Sequence, residues 1–253
     1  MSIARLNKSR RNSDPHWDER VDLACAFRWT ARHNMHEGVA NHFSLAVSDD
    51  GSQFLVNPNG RHFSRMRASD LLLIDANDKD TMARPNAPDP TAWCIHGAMH
   101  RRVPHARCVM HVHSKYALVL ATLKDPRMLP IDQNTMRFYD RIAYDDGFDG
   151  IGFEDEAERF VGLIGDKTVM VLCNHGVIFA GATVAETFDE MYYFERACET
   201  LVTAYMTGRE LNVVSDAVAR KTAQQWLEYP SFADLHFGAL RDILDEEEPD
   251  YRS

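Results

Sequence analysis

The chain has 253 residues, 45% of them apolar, and a net charge of −10 with an isoelectric point near 5.6. That length suits one large α/β domain, and the acidic balance argues against non-specific binding of nucleic acid or an anionic membrane. It has no apolar run long enough to span a bilayer and no apolar signal core; its five cysteines lack CxxC spacing, so it reads as a cytoplasmic protein with reduced thiols.

Residues 1–15 are basic and polar and read as a disordered arm. A single domain is expected over 16–244. Residues 17–35 predict a helix, with Leu23, Phe27 and Ala31 at four-residue spacing. FSLAVS (43–48) and QFLVN (53–57), joined by a turn in which Gly51 can take positive φ, predict a hairpin. NPNG (57–60) is a second turn, and LLLID (71–75) reads as a short buried strand. A polar loop over 76–90 ends in Asp89-Pro90, an aspartate cap followed by a proline whose missing N–H costs nothing there. The helix that follows carries Trp93, Ile95, Ala98 and Met99. RCVMHVH (107–113) predicts a strand and 115–123 a helix. Residues 130–160 read as a long connection, partly loop, and TVMVLCN (168–174) as a buried strand. Met191, Phe194, Cys198, Leu201 and Tyr205 form one apolar stripe on a helix over 184–205. A last helical region follows Pro230, and residues 245–253 read as a solvated acidic tail.

The histidines carry the chemistry. On a strand, residues i and i+2 share a face, so His111 and His113 project together while Val112 packs on the other side. His175 follows another buried strand, in a turn with Asn174 and Gly176. Three imidazoles from two strands leave an open coordination position, the pattern of a catalytic metal site. The pair alone reads equally as two hydrogen-bonded histidines at a sheet edge. His16, His33, His36, His62 and His236 read as surface or loop residues.

The order NHFS, NPNG, ASDLLLID, IHGAMHRRVP, VMHVHS, LPIDQ, NHG resembles the class II aldolase/adducin family, from about residue 18 to about 208. The resemblance implies a three-layer α/β/α fold around a mainly antiparallel central sheet. It also implies a divalent metal, most often zinc with iron or manganese as alternatives, held by His111, His113 and His175. A homotetramer with sites near subunit interfaces is implied too. The sequence departs from the sugar-phosphate aldolases of that family in three places. Their acid/base glutamate falls on Ala92 here, and their two phosphate-binding turns are replaced by NHFS (41–44) and NPNG (57–60). A phosphorylated sugar is therefore not supported, and the pattern resembles the adducin-like branch with its metal histidines retained.

Three functions compete on this basis. The first is a metal-dependent lyase of aldolase or decarboxylase type, acting on a small non-phosphorylated oxo- or hydroxy-acid, with the metal polarising a carbonyl. His96 or Tyr139 would then supply the missing acid/base; each reads also as a packed residue. The second is a non-haem iron oxygenase on the same fold, although the usual iron triad carries a carboxylate. The third is a non-catalytic adducin-like interaction module. Asn41, Asn57, Gly60 and Gln133 are candidate substrate contacts, because amides suit neutral or singly charged oxygen groups. Arg61 reads as a carboxylate holder or a surface charge.

Overall fold

The computed structural model describes residues 14–150, 154–229 and 231–253; the expected arm at 1–15 falls almost wholly outside them. Helix α1 (Trp17–Arg32) begins where expected and ends at His33. The hairpin forms from β1 (His42–Ala46) and β2 (Gln53–Val56). Its Gly51 takes φ +69°, and a Cβ there would lie 2.1 Å from the His100 carbonyl oxygen, so only glycine fits. Strand β3 (Leu72–Asp75) follows. Helix α2 (Pro90–Arg102) starts on the expected cap, with Asp89 Oδ1 accepting from the Thr91 N–H at 2.9 Å.

Strand β4 (Cys108–Val112) and helix α3 (Lys115–Ala121) match the sequence reading. The region 130–160, expected as a connection, instead holds α4 (Gln133–Arg137), β5 (Ile142–Asp145) and α5 (Glu154–Ile164). Then come β6 (Val169–Leu172) and β7 (Gly176–Gly181), the latter unforeseen. Helix α6 (Val184–Met206) carries the apolar stripe, α7 (Asp216–Leu227) was not anticipated, and α8 (Ser231–Glu247) follows Pro230.

The seven strands form one sheet in the order β3-β2-β1-β4-β7-β6-β5. It is mainly antiparallel; β5 and β6 pair in parallel. Side-chain alternation sorts the two faces. Cys108, Met110 and Val112 of β4 join Phe27 of α1, Leu120 of α3 and Phe194 of α6 in one core. Val109 points the other way, with Met99 of α2 and Phe160 of α5. Each such fully buried side chain contributes on the order of 1.5–3 kcal/mol. The result is the expected α/β/α sandwich, with β4 at its centre and buried along its whole length.

Two expectations need correction. LLLID is an edge strand rather than a buried one, and Leu73 is 42% exposed, because nothing pairs beyond β3 in the described sheet. The acidic tail is docked, not solvated. Tyr251 is fully buried, Arg28 bridges Glu248 at 2.8 Å and Asp250 at 3.0 Å, and the Ser69 N–H donates to the Ser253 carbonyl. Glu248 and Asp250 are spent on the buried Arg28, which composition alone does not reveal.

Candidate metal centre

His111 sits on the last turn of pleat in β4 and is 2% exposed. His113 lies just beyond the strand, and His175 in the tight turn between β6 and β7. As the period of two requires, Val112 joins the opposite core. In that turn Asn174 adopts φ 63°, a left-handed conformation that asparagine tolerates. Its N–H donates to the Ala121 carbonyl, which ties the turn to the end of α3. Gly176 then permits the close approach: a Cβ there would lie 2.7 Å from both His113 Cδ2 and the Val112 carbonyl oxygen.

The three rings converge, with centroids 4.8, 4.9 and 5.1 Å apart. One nitrogen from each lies within 4.8 Å of the others. The His111 and His113 Nε2 atoms are 2.9 Å apart. Burial lowers the pKa of all three, that of His113 to about 4 and that of His111 well below its ordinary value; neighbouring imidazoles add to it at His111 and His113, while Glu156 and Asp145 oppose it at His175. At neutral pH the rings are therefore uncharged and their lone pairs are free to ligate.

The tautomer of His111 is set by its other nitrogen. Nδ1 lies 3.1 Å from the Val177 carbonyl oxygen, which can only accept, so Nδ1 donates and Nε2 is bare. A tetrahedral zinc with Zn–N near 2.0–2.1 Å would set its ligand nitrogens about 3.3 Å apart. Three neutral imidazoles whose nitrogens lie within 4.8 Å of one another are a donor set that suits a divalent metal.

Supporting residues appear that the sequence reading did not single out. Glu195 of α6, only 9% exposed, accepts from Ser114 Oγ at 2.7 Å and from the Tyr116 and Ala117 N–H groups at 2.9 and 3.0 Å. It caps α3, where a negative charge meets the positive end of the helix dipole, and so clamps the segment after His113. Glu195 was hidden inside an apolar stripe; a lone acid beside Phe194 was the available signal. His42 is the second. Its Cα pairs with that of His111, their rings stand 5.0 Å apart, and burial lowers its pKa to about 4.

The remaining candidates are placed as follows. His96 is fully buried on α2 and bonded on both nitrogens, to His42 Nδ1 at 2.6 Å and to Ser44 Oγ. Ala92 faces an apolar cluster with Phe54, Val56 and Ile74. Asn41 and Asn57 spend their side-chain oxygens on the Glu37 and Phe43 N–H groups, and Asn57 Nδ2 donates to the Asn41 carbonyl. Gly60 turns the chain at φ +75° with open space beside it. Arg61 pairs with Asp70 at 2.9 Å. Gln133 is exposed at the start of α4. Tyr139 lies under the Arg220 guanidinium, 5.3 Å from its centroid, and bonds Asp216, both on α7.

Residues 21–202 match the Class II Aldolase and Adducin N-terminal domain. A Caulobacter vibrioides protein that bears the name of an aldolase class 2 protein is 34% identical over 199 residues, covering 78% of this chain and 77% of its own. Human beta-adducin is 32% identical over 168 residues, 64% of this chain and 22% of its own. Among solved structures, an aldolase II superfamily protein from Pseudomonas syringae superposes with a TM-score of 0.87 at 30% identity, covering 97% of this chain and 100% of the other. L-fuculose 1-phosphate aldolase from Glaciozyma antarctica PI12 gives 0.78 at 21% identity, covering 94% and 93%, a likeness of fold.

Proposed function

Because the chain belongs to the class II aldolase and adducin family, we propose that it is a divalent-metal-dependent lyase, of aldolase or decarboxylase type, acting on a non-phosphorylated oxo- or hydroxy-acid. One observation carries this reading: the Val177 carbonyl forces a bare Nε2 on His111, aimed at His113 and grouped with His175. A protein without use for a metal has no reason to bring three uncharged imidazoles together around bare nitrogen.

His111, His113 and His175 would hold the metal, zinc in the first instance. When bound, it supplies a Lewis acid for a substrate carbonyl. The chain's own residues do the rest. Glu195 fixes the segment after His113, and Gly176 lets the β7 backbone close on the ring. His96 has no free nitrogen for a substrate and acts through His42. A non-phosphorylated substrate is supported by the side-chain oxygens of Asn41 and Asn57, which serve the backbone, and by Arg61, which pairs with Asp70. In keeping with the family reading, the proposal includes a cytoplasmic homotetramer; no helix among the described residues is long and apolar enough to cross a membrane.

The test is elemental analysis of chelator-free, tag-free protein beside His111→Ala. Near-stoichiometric metal that the variant lacks is expected, and turnover of a panel of 2-oxo acids in retro-aldol and decarboxylation assays should then depend on it. A wild-type chain that neither carries nor takes up metal would sink the reading; iron in place of zinc would redirect it to oxygen chemistry.

A further inference from the structure

A buried hydrogen-bonded chain runs from α2 to the metal centre, and its direction can be read atom by atom. His100 Nδ1 lies 2.7 Å from the Ala106 carbonyl oxygen, which can only accept, so Nδ1 carries the hydrogen. A neutral imidazole has one N–H, so His100 Nε2 is bare and accepts from Ser44 Oγ at 2.7 Å. That spends the only hydroxyl hydrogen, and Ser44 Oγ must then accept from His96 Nδ1. His96 Nε2 is left bare and accepts from His42 Nδ1 at 2.6 Å. His42 Nε2 therefore ends the chain without a hydrogen. Burial keeps all three rings neutral: His42, His96 and His100 are 2%, 0% and 8% exposed.

The neighbour of that last nitrogen does not satisfy it. Thr91 Oγ1 is 3.3 Å away, and its one hydrogen has a shorter, charged acceptor in Asp89 Oδ1 at 2.6 Å. A bare nitrogen thus stands on the strand next to β4, beside His111.

We infer that His42 Nε2 is the acceptor for a hydroxyl hydrogen of a hydroxy-acid substrate, its tautomer dictated by a one-way chain anchored on the Ala106 carbonyl. This deepens the lyase reading and rests on it for the identity of the site. The role is positional: no proton has to move. It selects a hydroxy-acid over its deoxy analogue, because only the former fills the lone pair.

Two measurements test it. Long-range ¹H–¹⁵N NMR of the metal-free full chain reads each imidazole tautomer, and Nδ1–H is expected at His42, His96 and His100. Ser44→Ala cuts the chain, so His42 should lose its single tautomer while His100 keeps it. Nε2–H on wild-type His42, or a His42 signal indifferent to Ser44→Ala, overturns the inference. Second, cobalt-loaded wild type and His42→Phe are titrated with glycolate and acetate, followed by visible absorption. The preference for glycolate should shrink at least about tenfold in the variant, and an unchanged preference overturns the substrate role. A wild type that binds no cobalt removes the metal reading and the substrate role with it, while the NMR arm still decides the chain.

Discussion

Two pairs of histidines in this molecule look alike by distance and differ in chemistry. His111 and His113 bring Nε2 atoms to 2.9 Å, and His36 and His62 bring theirs to 3.1 Å. The other nitrogen fixes the tautomer in each pair. His111 Nδ1 faces a carbonyl oxygen and must donate, which strips Nε2. His62 Nδ1 accepts the Ser64 N–H at 3.2 Å, so its Nε2 bears the hydrogen and donates it to His36. Each pair thus holds one bare nitrogen facing its partner ring; the first is set apart by burial and by His175 as a third donor, while the second lies at the surface. Proximity of two imidazoles therefore says little until their burial and a third donor are known.

The comparison can be broken most decisively by metal titration. His111→Ala should weaken zinc binding by about 100-fold or more, since even loss of an outer partner of a ligand costs about 10–100-fold. His36→Ala should leave the affinity unchanged, and an equal loss in both, by calorimetry, would erase the distinction. Next in size is Gly176→Ala. Its Cβ would meet His113 and the Val112 carbonyl at 2.7 Å, so a loss of about 1–3 kcal/mol is expected in denaturant unfolding, with metal uptake reduced alongside.

A pH series sharpens the contrast between buried and surface rings. Burial lowers the His100 pKa from 6.5 to about 4, against a smaller opposing effect of its bond to Ala106. Between these values the unfolded chain takes up a proton that the folded chain refuses. Stability is then intact above pH 6.5 and falls by up to about 1.4 kcal/mol per pH unit as pH drops toward 4. His100→Leu should flatten that slope in the metal-free protein, measured by denaturant unfolding at pH 7, 6 and 5. The smallest effect belongs to His62→Ala, within about 0.5 kcal/mol of wild type, as for other surface changes.

Much of this was legible before the structure. The period of two placed His111 and His113 on one face and Val112 on the other, and the Asp89-Pro90 start of α2 followed from capping chemistry alone. The same period-two logic applied to NHFS would have put His42 and Ser44 on one face; quoted only as a motif, the segment hid the chain that ends beside His111. Strand β5 and helix α5 were missed because Asp145 and the Asp146, Gly147, Asp149 and Gly150 that follow it read as loop. The direction of the histidine chain was beyond sequence reasoning, because it depends on the Ala106 carbonyl reaching His100. Asn41 and Asn57 show the reverse situation: residue types suited to a ligand whose side-chain oxygens go to the backbone, while Asn41 Nδ2 is buried without a partner.

The docked C-terminal segment has a consequence for how the molecule is made. Arg28, buried in α1, finds its partner Glu248 at a separation of 220 positions, and Asp250 at 222. A ribosome delivers α1 early, at a few to some twenty residues per second, so this guanidinium waits about ten seconds or more before its carboxylates emerge. Until then the outer face of α1 is unfinished. Glu248 and Asp250 thus act as a clasp on the first helix, one that cannot close until more than two hundred further residues have been made.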